Sequence, residues 1–261
     1  MDYQSIILTR EKGIATITLN RPEVLNAMNS RLSMELGMAI GEAGKDDDVR
    51  VLVITGVGRG FCVGGDMKDL PIDVGNMVTT TQALEAWHKI LLSIRHLEKP
   101  VIAAINGVAV GAGLDLALMC DLRIASENAR FGEAYVRVGG FPDSGSTYLL
   151  PRLVGSARAC EMLFTGDIID AAEAERIGLV NKVVPADKLA ATTRELAARI
   201  AAGPPVSIGL IKRAIYTGEY QDIESALSFV ALTTGLCVQT EDAKEGVAAF
   251  LEKRPPVFKG R

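Results

Sequence analysis

Short apolar runs punctuated by glycine turns set the rhythm of the first half of this chain. Ser5 to Thr9 and Ile14 to Asn20 are β-like runs separated by Glu11-Lys12-Gly13, which predicts an opening hairpin ended by Arg21-Pro22. Asn29-Ser30 supplies a cap for a helix over Arg31 to Ala43. Val51 to Thr55 and Val101 to Ile105 read as buried strands, and another strand is expected near Leu122 to Ala125. Between the first two, a polar segment near 69–80 reads as a loop. Ala83 to Leu97 then places Leu84, Trp87, Leu91 and Ile94 on one helical face. From Ser144 onward the pattern is mostly helical, interrupted by a strand-like Leu179 to Val184.

Strand, turn and helix thus recur about every fifty residues, the alternation of an α/β protein. Gly203-Pro204-Pro205 is the clearest break, and three amphipathic helical segments follow it. We expect a catalytic core over 1–202 and a helical C-terminal region over 203–261, packed on its own core or on a partner subunit.

Composition narrows the classes. With 261 residues, 48% apolar content and a net charge of −4, the chain has the makings of a globular protein with a substantial core. No basic block occurs, so nucleic acid is not expected as a partner. Cys62, Cys120, Cys160 and Cys237 are scattered without metal-ligand spacing, so neither a disulfide framework nor a metal site is expected. No apolar stretch has the length of a membrane span. Met1-Asp-Tyr-Gln lacks the features of a signal peptide, and a cytoplasmic location is expected.

Chemistry concentrates at two turns. Asn106-Gly-Val-Ala-Val-Gly-Ala-Gly-Leu-Asp115 links a strand to a helix, and Phe61-Cys-Val-Gly-Gly-Asp66 follows another strand. A strand that turns at once into a helix leaves backbone N–H groups unpaired. Two such loops can present two donors to an oxygen that becomes anionic during a reaction. By contrast, Gly56-Val-Gly-Arg-Gly60 has only part of a dinucleotide-loop spacing, because the third glycine falls at Phe61.

These turns belong to an ordered set. Asn20-Arg-Pro-x-x-x-Asn26-Ala27, Phe61-x-x-Gly-Gly-Asp66, Asn106-Gly-x-Ala-x-Gly-Ala-Gly, Cys120-Asp121, Phe131-Gly132 and Thr165-Gly166 follow one another along nearly the whole chain. On these motifs the sequence resembles the enoyl-CoA hydratase/isomerase (crotonase) superfamily. The resemblance implies a crotonase-like spiral of ββα turns with a helical C-terminal region, assembled as a homotrimer or dimer of trimers. It implies an acyl-CoA substrate, with no cofactor beyond the coenzyme A that the substrate carries. By position, the oxyanion donors are the N–H groups of Gly65 and Ala112, where the family usually has glycine in place of Ala112. Asp66, Met67 and Lys68 would line the CoA passage. Val24 to Ala27 and the helix carrying Phe250 and Lys253 would approach the nucleotide end.

The acid–base positions depart from the hydratase pattern. Enoyl-CoA hydratases use two glutamates; here the first position is Asp115 and the second is Tyr135. A phenol with a pKa of about 10 is a poor base at neutral pH. Asp143, in Gly140-Phe-Pro-Asp-Ser-Gly145, occupies the position of a catalytic aspartate in dienoyl-CoA isomerases, in ring-epoxide isomerases of phenylacetate breakdown and in an aryl-CoA dehalogenase. We therefore expect Asp143 to move a proton along an unsaturated acyl-CoA, with Asp115 assisting and Tyr135 shaping the pocket. Hydration by the aspartate pair is the alternative. Acyl-CoA hydrolysis or carbon–carbon cleavage comes next, and a non-catalytic CoA- or RNA-binding oligomer last.

Plainer roles compete for several of these residues. Asp115 and Asp143 each suit a helix cap, and Tyr135 suits a core aromatic with a satisfied hydroxyl. Asp121 reads as structural. His88 and His96 read as solvated or packed, Cys62 lacks an activating histidine, and Lys212-Arg213 and Lys253-Arg254 read as surface charge.

Overall fold

A computed structural model describes residues 2–69 and 75–261. The opening hairpin forms as expected, β1 (Ile6–Glu11) pairing antiparallel with β2 (Ile14–Leu19). α1 (Ser30–Lys45) starts at Asn29, whose side chain accepts from the Leu32 N–H and satisfies one of the orphan donors of the first turn.

Three successive units follow. β3 (Val51–Gly56), β4 (Gly60–Cys62) and α2 (Met77–His96) make the first. β5 (Val101–Ile105), β6 (Val108–Val110) and α3 (Ala112–Met119) make the second. β7 (Leu122–Ser126) and β8 (Arg130–Gly132) open the third, which leads into α4 (Ser146–Val154) and α5 (Ser156–Thr165). The longer strand of each unit joins one sheet and the shorter strand another. The first sheet runs β1-β2-β3-β5-β7-β10, with β10 at Lys182–Val184; the second runs β4-β6-β8-β9, with β9 at Ile169–Asp170. Each step from β2 to β3, β5 and β7 is parallel, so the chain climbs as a spiral of ββα turns.

The strands of the large sheet bury both faces. Leu52, Ile54, Ala103 and Ile105 face the main core with α1, α2 and α3. Val51, Val53, Ile102 and Ala104 face α7 (Leu189–Ala201) through Leu189, Ala197 and Ala201. In the small sheet, Phe61 and Phe131 are fully buried, each contributing about 1.5–3 kcal/mol. α3 is buried nearly all round, as a helix through the middle of a core must be.

The segment near 69–80, read as a loop, divides. Residues 70–74 lie outside the described residues, and α2 already begins at Met77, with the Asn76 side chain accepting from Thr79 N–H. After a sixth helix (Ala171–Arg176) and α7, the chain ends in α8 (Pro205–Gly218), α9 (Ile223–Cys237) and α10 (Glu241–Glu252). α8 is anchored by Lys212, which is buried rather than a surface charge. Its ammonium donates to the carbonyls of Ile94 and Lys99 and to Asp121. Asp121 also accepts from Val101 N–H and the Tyr216 hydroxyl, which bears out its structural reading. Among the described residues no single helix is long and apolar enough to cross a membrane.

Candidate active site

The two glycine turns meet. A Cβ on Gly113 would lie 2.0 Å from the Cys62 carbonyl oxygen, and one on Gly64 would lie 2.9 Å from that of Val110 and 3.8 Å from Ala112 N. Only glycine permits that approach. Met28 straps the first turn: its N–H donates to Gly64 O at 2.7 Å, and its carbonyl accepts from Asp66 N–H at 2.8 Å. The Gly65 N–H between them takes no partner among the described residues. In the second turn, Gly111 adopts φ +53° and hands the chain to α3, leaving Ala112 as the first helical residue. Its N–H precedes the intrahelical ladder and is likewise unpaired among the described residues. The dipole of α3 adds positive potential there.

Two motif asparagines hold these turns in register. The Asn26 amide donates to the carbonyls of Val57 and Gly60, and that of Asn106 to Gly58 and Gly60. Asn106 also accepts from Gly56 N–H. The glycines of 56–60 thus serve a clamped turn between β3 and β4.

Asp115 and Asp143 come together here, and neither caps a helix. Asp115, in the first turn of α3, is fully buried, and its Oδ2 accepts from the Tyr135 hydroxyl at 2.7 Å. Burial pushes its carboxyl up to about 7, against the hydrogen bond from Tyr135; the Asp143 charge pushes the same way. Tyr135 therefore has its satisfied hydroxyl. Burial and the neighbouring acids push its phenol above the ordinary range, which makes it a donor and not a base. Asp143 is half-buried in the loop before α4, whose N-cap is Gly145. Its Oδ1 accepts from the Ser144 hydroxyl at 2.7 Å, and Ser144 accepts from Trp87 Nε1 at 2.8 Å.

Several participants were not read from the sequence. His88 Nε2 lies 2.5 Å from the Asp143 carbonyl oxygen, so His88 and Trp87 together fix that loop from α2. The signal available was their place on an amphipathic helix, which says only that one face packs inward. Glu133, directly after β8, is fully buried, and burial beside Asp115 and Asp143 pushes its carboxyl well above the ordinary range. A charged residue continuing the apolar Phe131-Gly132 was its signal.

The expected CoA-contacting residues fall into two groups. Arg21 knits the first group together, donating to the Ala27 carbonyl and to Asp66 Oδ2, the latter at 2.9 Å. Asp66 is thereby committed to an ion pair that holds its carboxyl below the usual range. Ala27 is buried, whereas Val24, Met67 and Lys68 are exposed beside it in sequence. The second group, Phe250 and Lys253, is exposed on α10 and its C-cap. No hydrogen bond or ion pair among the described residues ties it to the turns. Cys62 is fully buried, and burial pushes its thiol up to about 11, out of the range of a nucleophile at neutral pH.

The sequence profile of the enoyl-CoA hydratase/isomerase family matches residues 9–261. The chain belongs to that family. It is 42% identical to the short-chain-enoyl-CoA hydratase of Clostridium acetobutylicum, across 97% of both chains. It is 40% identical to the 1,2-epoxyphenylacetyl-CoA isomerase of Escherichia coli, across 96% of this chain and 97% of that one. Among solved structures, the enoyl-CoA hydratase from Bacillus anthracis superposes with a TM-score of 0.94 at 36% identity, covering 99% of this chain and 100% of that one. The crotonase fold expected from the motifs is thus the fold observed, and the chain is an enzyme of the enoyl-CoA hydratase/isomerase family. Relatives of nearly equal similarity are named for different reactions, so the acid–base residues have to discriminate between them.

Proposed function

We propose that this enzyme shifts a double bond within an enoyl- or dienoyl-CoA, with Asp143 carrying the proton. The thioester oxygen sits between the N–H groups of Gly65 and Ala112, which stabilise the enolate by roughly 3–4 kcal/mol per donor. Asp143 takes a proton from the carbon beside the unsaturation, the negative charge spreads to the thioester oxygen, and the same carboxyl returns the proton at the far end of the conjugated system. Asp115, held by Tyr135, assists as a charge within the site. No cofactor is needed beyond the coenzyme A of the substrate. Asp66, Met67 and Lys68 line its passage, and Val24, Ala27, Phe250 and Lys253 approach its nucleotide end.

The observation that carries this reading is the contrast in how the carboxyls are held. Asp143 commits one oxygen to Ser144 and keeps the other available, while the second glutamate position of a hydratase is filled by Tyr135, a donor. Hydration is the second reading. It is favoured by the Asp115 carboxyl, which burial pushes up to about 7, and by the hydratases among the relatives. A panel of enoyl- and dienoyl-CoAs followed by mass and ultraviolet spectrum separates the two. Unchanged mass with a shifted spectrum is the expected result. Gain of one water would establish hydration, and release of free CoA would establish hydrolysis.

We further propose that the C-terminal helices contact a second subunit of a trimer or a dimer of trimers. Exposed apolar residues on α9 and α10, among them Ile223, Leu232, Leu236, Val247 and Phe250, support this. Size measurement in solution tests it; a monomer would contradict it.

A further inference from the structure

Six buried side-chain oxygens lack a hydrogen-bond partner among the described residues, and four of them belong to three neighbours: Asp115 Oδ1, both oxygens of Glu133, and Ser146 Oγ. Ser146, the first residue of α4, acts on both carboxyls, and Asp115 acts directly on Glu133. Such clustering is not the scatter of ordinary packing defects, since buried polar groups are nearly always paired. The charged groups acting on Glu133 are Asp115 from α3 and Asp143 from the loop before α4, both acidic; Tyr135, from the segment after β8, feels Glu133 in turn.

Hydrogen counting decides how the three can be satisfied. Were both carboxyls ionised, they would offer only acceptors; Asp115 has the Tyr135 hydroxyl and the Ser146 backbone N–H beside it, whereas Glu133 has at most the one Ser146 hydroxyl hydrogen for its two buried oxygens. Two adjacent carboxylates, both fully buried, would also carry a large desolvation cost. A proton on Glu133 removes both difficulties. Its hydroxyl would then donate to Ser146 Oγ, and the Ser146 hydroxyl to Asp115 Oδ1. Asp115 would be held from two sides, by Tyr135 on Oδ2 and by this chain on Oδ1.

We propose that Glu133 is a positioning residue, a neutral carboxylic acid that orients Asp115 through the Ser146 hydroxyl. The effect on turnover rests on the role given to Asp115 above, whereas the protonation of Glu133 does not. The first test needs no substrate: infrared spectra of wild type labelled with carboxyl-13C glutamate, at pH 7, against the same labelled E133Q. A protonated-carboxyl band present in wild type and lost in E133Q is expected; its absence from wild type overturns the proposal.

The second test is kinetic. In E133L, loss of the donor chain raises the acidic limb of the rate profile by about one pH unit. At pH 7, kcat falls about fivefold with KM within twofold. E133Q recovers most of that loss, because its amide can donate to Ser146, and S146A reproduces the shift. A profile unmoved in both E133L and S146A overturns the relay while leaving double-bond migration standing. Should neither variant fold, or no substrate turn over, the infrared result on wild type still decides the state of Glu133.

Discussion

Asp115 and Asp143 are the same chemical group placed on two elements of one site, and their surroundings differ in every respect that matters. Asp115 sits on a helix through the core, fully buried, with acids as its charged neighbours and burial pushing its carboxyl up to about 7. Asp143 sits on a loop, half-buried, with its conformation fixed from α2 by the Trp87–Ser144 chain and by His88. The buried group is tuned but fixed in place; the loop group has one oxygen held and one left for exchange. This difference is why we propose Asp143 as the shuttle and Asp115 as the supporting charge. Residue type alone would have made them equivalent.

The largest effect is expected at Asp143. D143N should lower kcat by about 10²–10⁴-fold, the usual worth of a general acid–base group, while affinity for the CoA moiety persists. Steady-state rates with a binding measurement check this, and near-wild-type turnover would return the chemistry to Asp115. Next in size is A112P. Proline is tolerated at the first helical position, so the variant removes one oxyanion donor with little harm to α3. A loss of about 10²–10³-fold in kcat is expected, with circular dichroism confirming the fold.

D115N tests the other side through stability. The carboxyl is raised in the folded state, so its protonated form is native-like and stability is lost as pH rises through about 7. One such group costs about 1.4 kcal/mol between pH 6 and 8. D115N should flatten that slope in denaturant titrations, and an unchanged slope would show that Asp115 is not the group responsible. Y135F sharpens the same point with the smallest effect. Without the phenol donor the carboxyl rises by about one further unit, and activity near pH 7 drops about fivefold. Rate profiles from pH 5 to 9 would register it.

Much of this architecture is legible in the residues. The hairpin, the Asn29 cap and the strands beginning at Val51 and Val101 follow from local pattern, because their signals lie within a few residues of one another. The second sheet does not. β4, β6 and β8 are three residues each, too short for periodicity, and read as parts of glycine turns. The early start of α2 was masked by a run of three threonines, whose branched side chains favour strand or loop, although Asn76 offered a cap. In the site, the glycine spacing marks Gly65 and Ala112 as donor candidates, and the family motifs single out Asp115 and Asp143. Glu133, Ser146, Trp87 and His88 act through contacts made across the fold, and the local signals they offer, a charge after apolar Phe131-Gly132 or a place on a helix face, do not say what they touch. Lys212 is the converse case: beside Arg213 it reads as surface charge, yet it is buried against Asp121 from a distant helix.

The most direct test of the account is to incubate wild type and D143N with an enoyl- or dienoyl-CoA in deuterium oxide and follow product by mass and ultraviolet spectrum. Migration of the double bond with no added water, lost in D143N, is the predicted result, with deuterium at carbon only as far as the Asp143 carboxyl exchanges with solvent before returning the proton. Addition of water by wild type, or double-bond migration that persists in D143N at an undiminished rate, would contradict it.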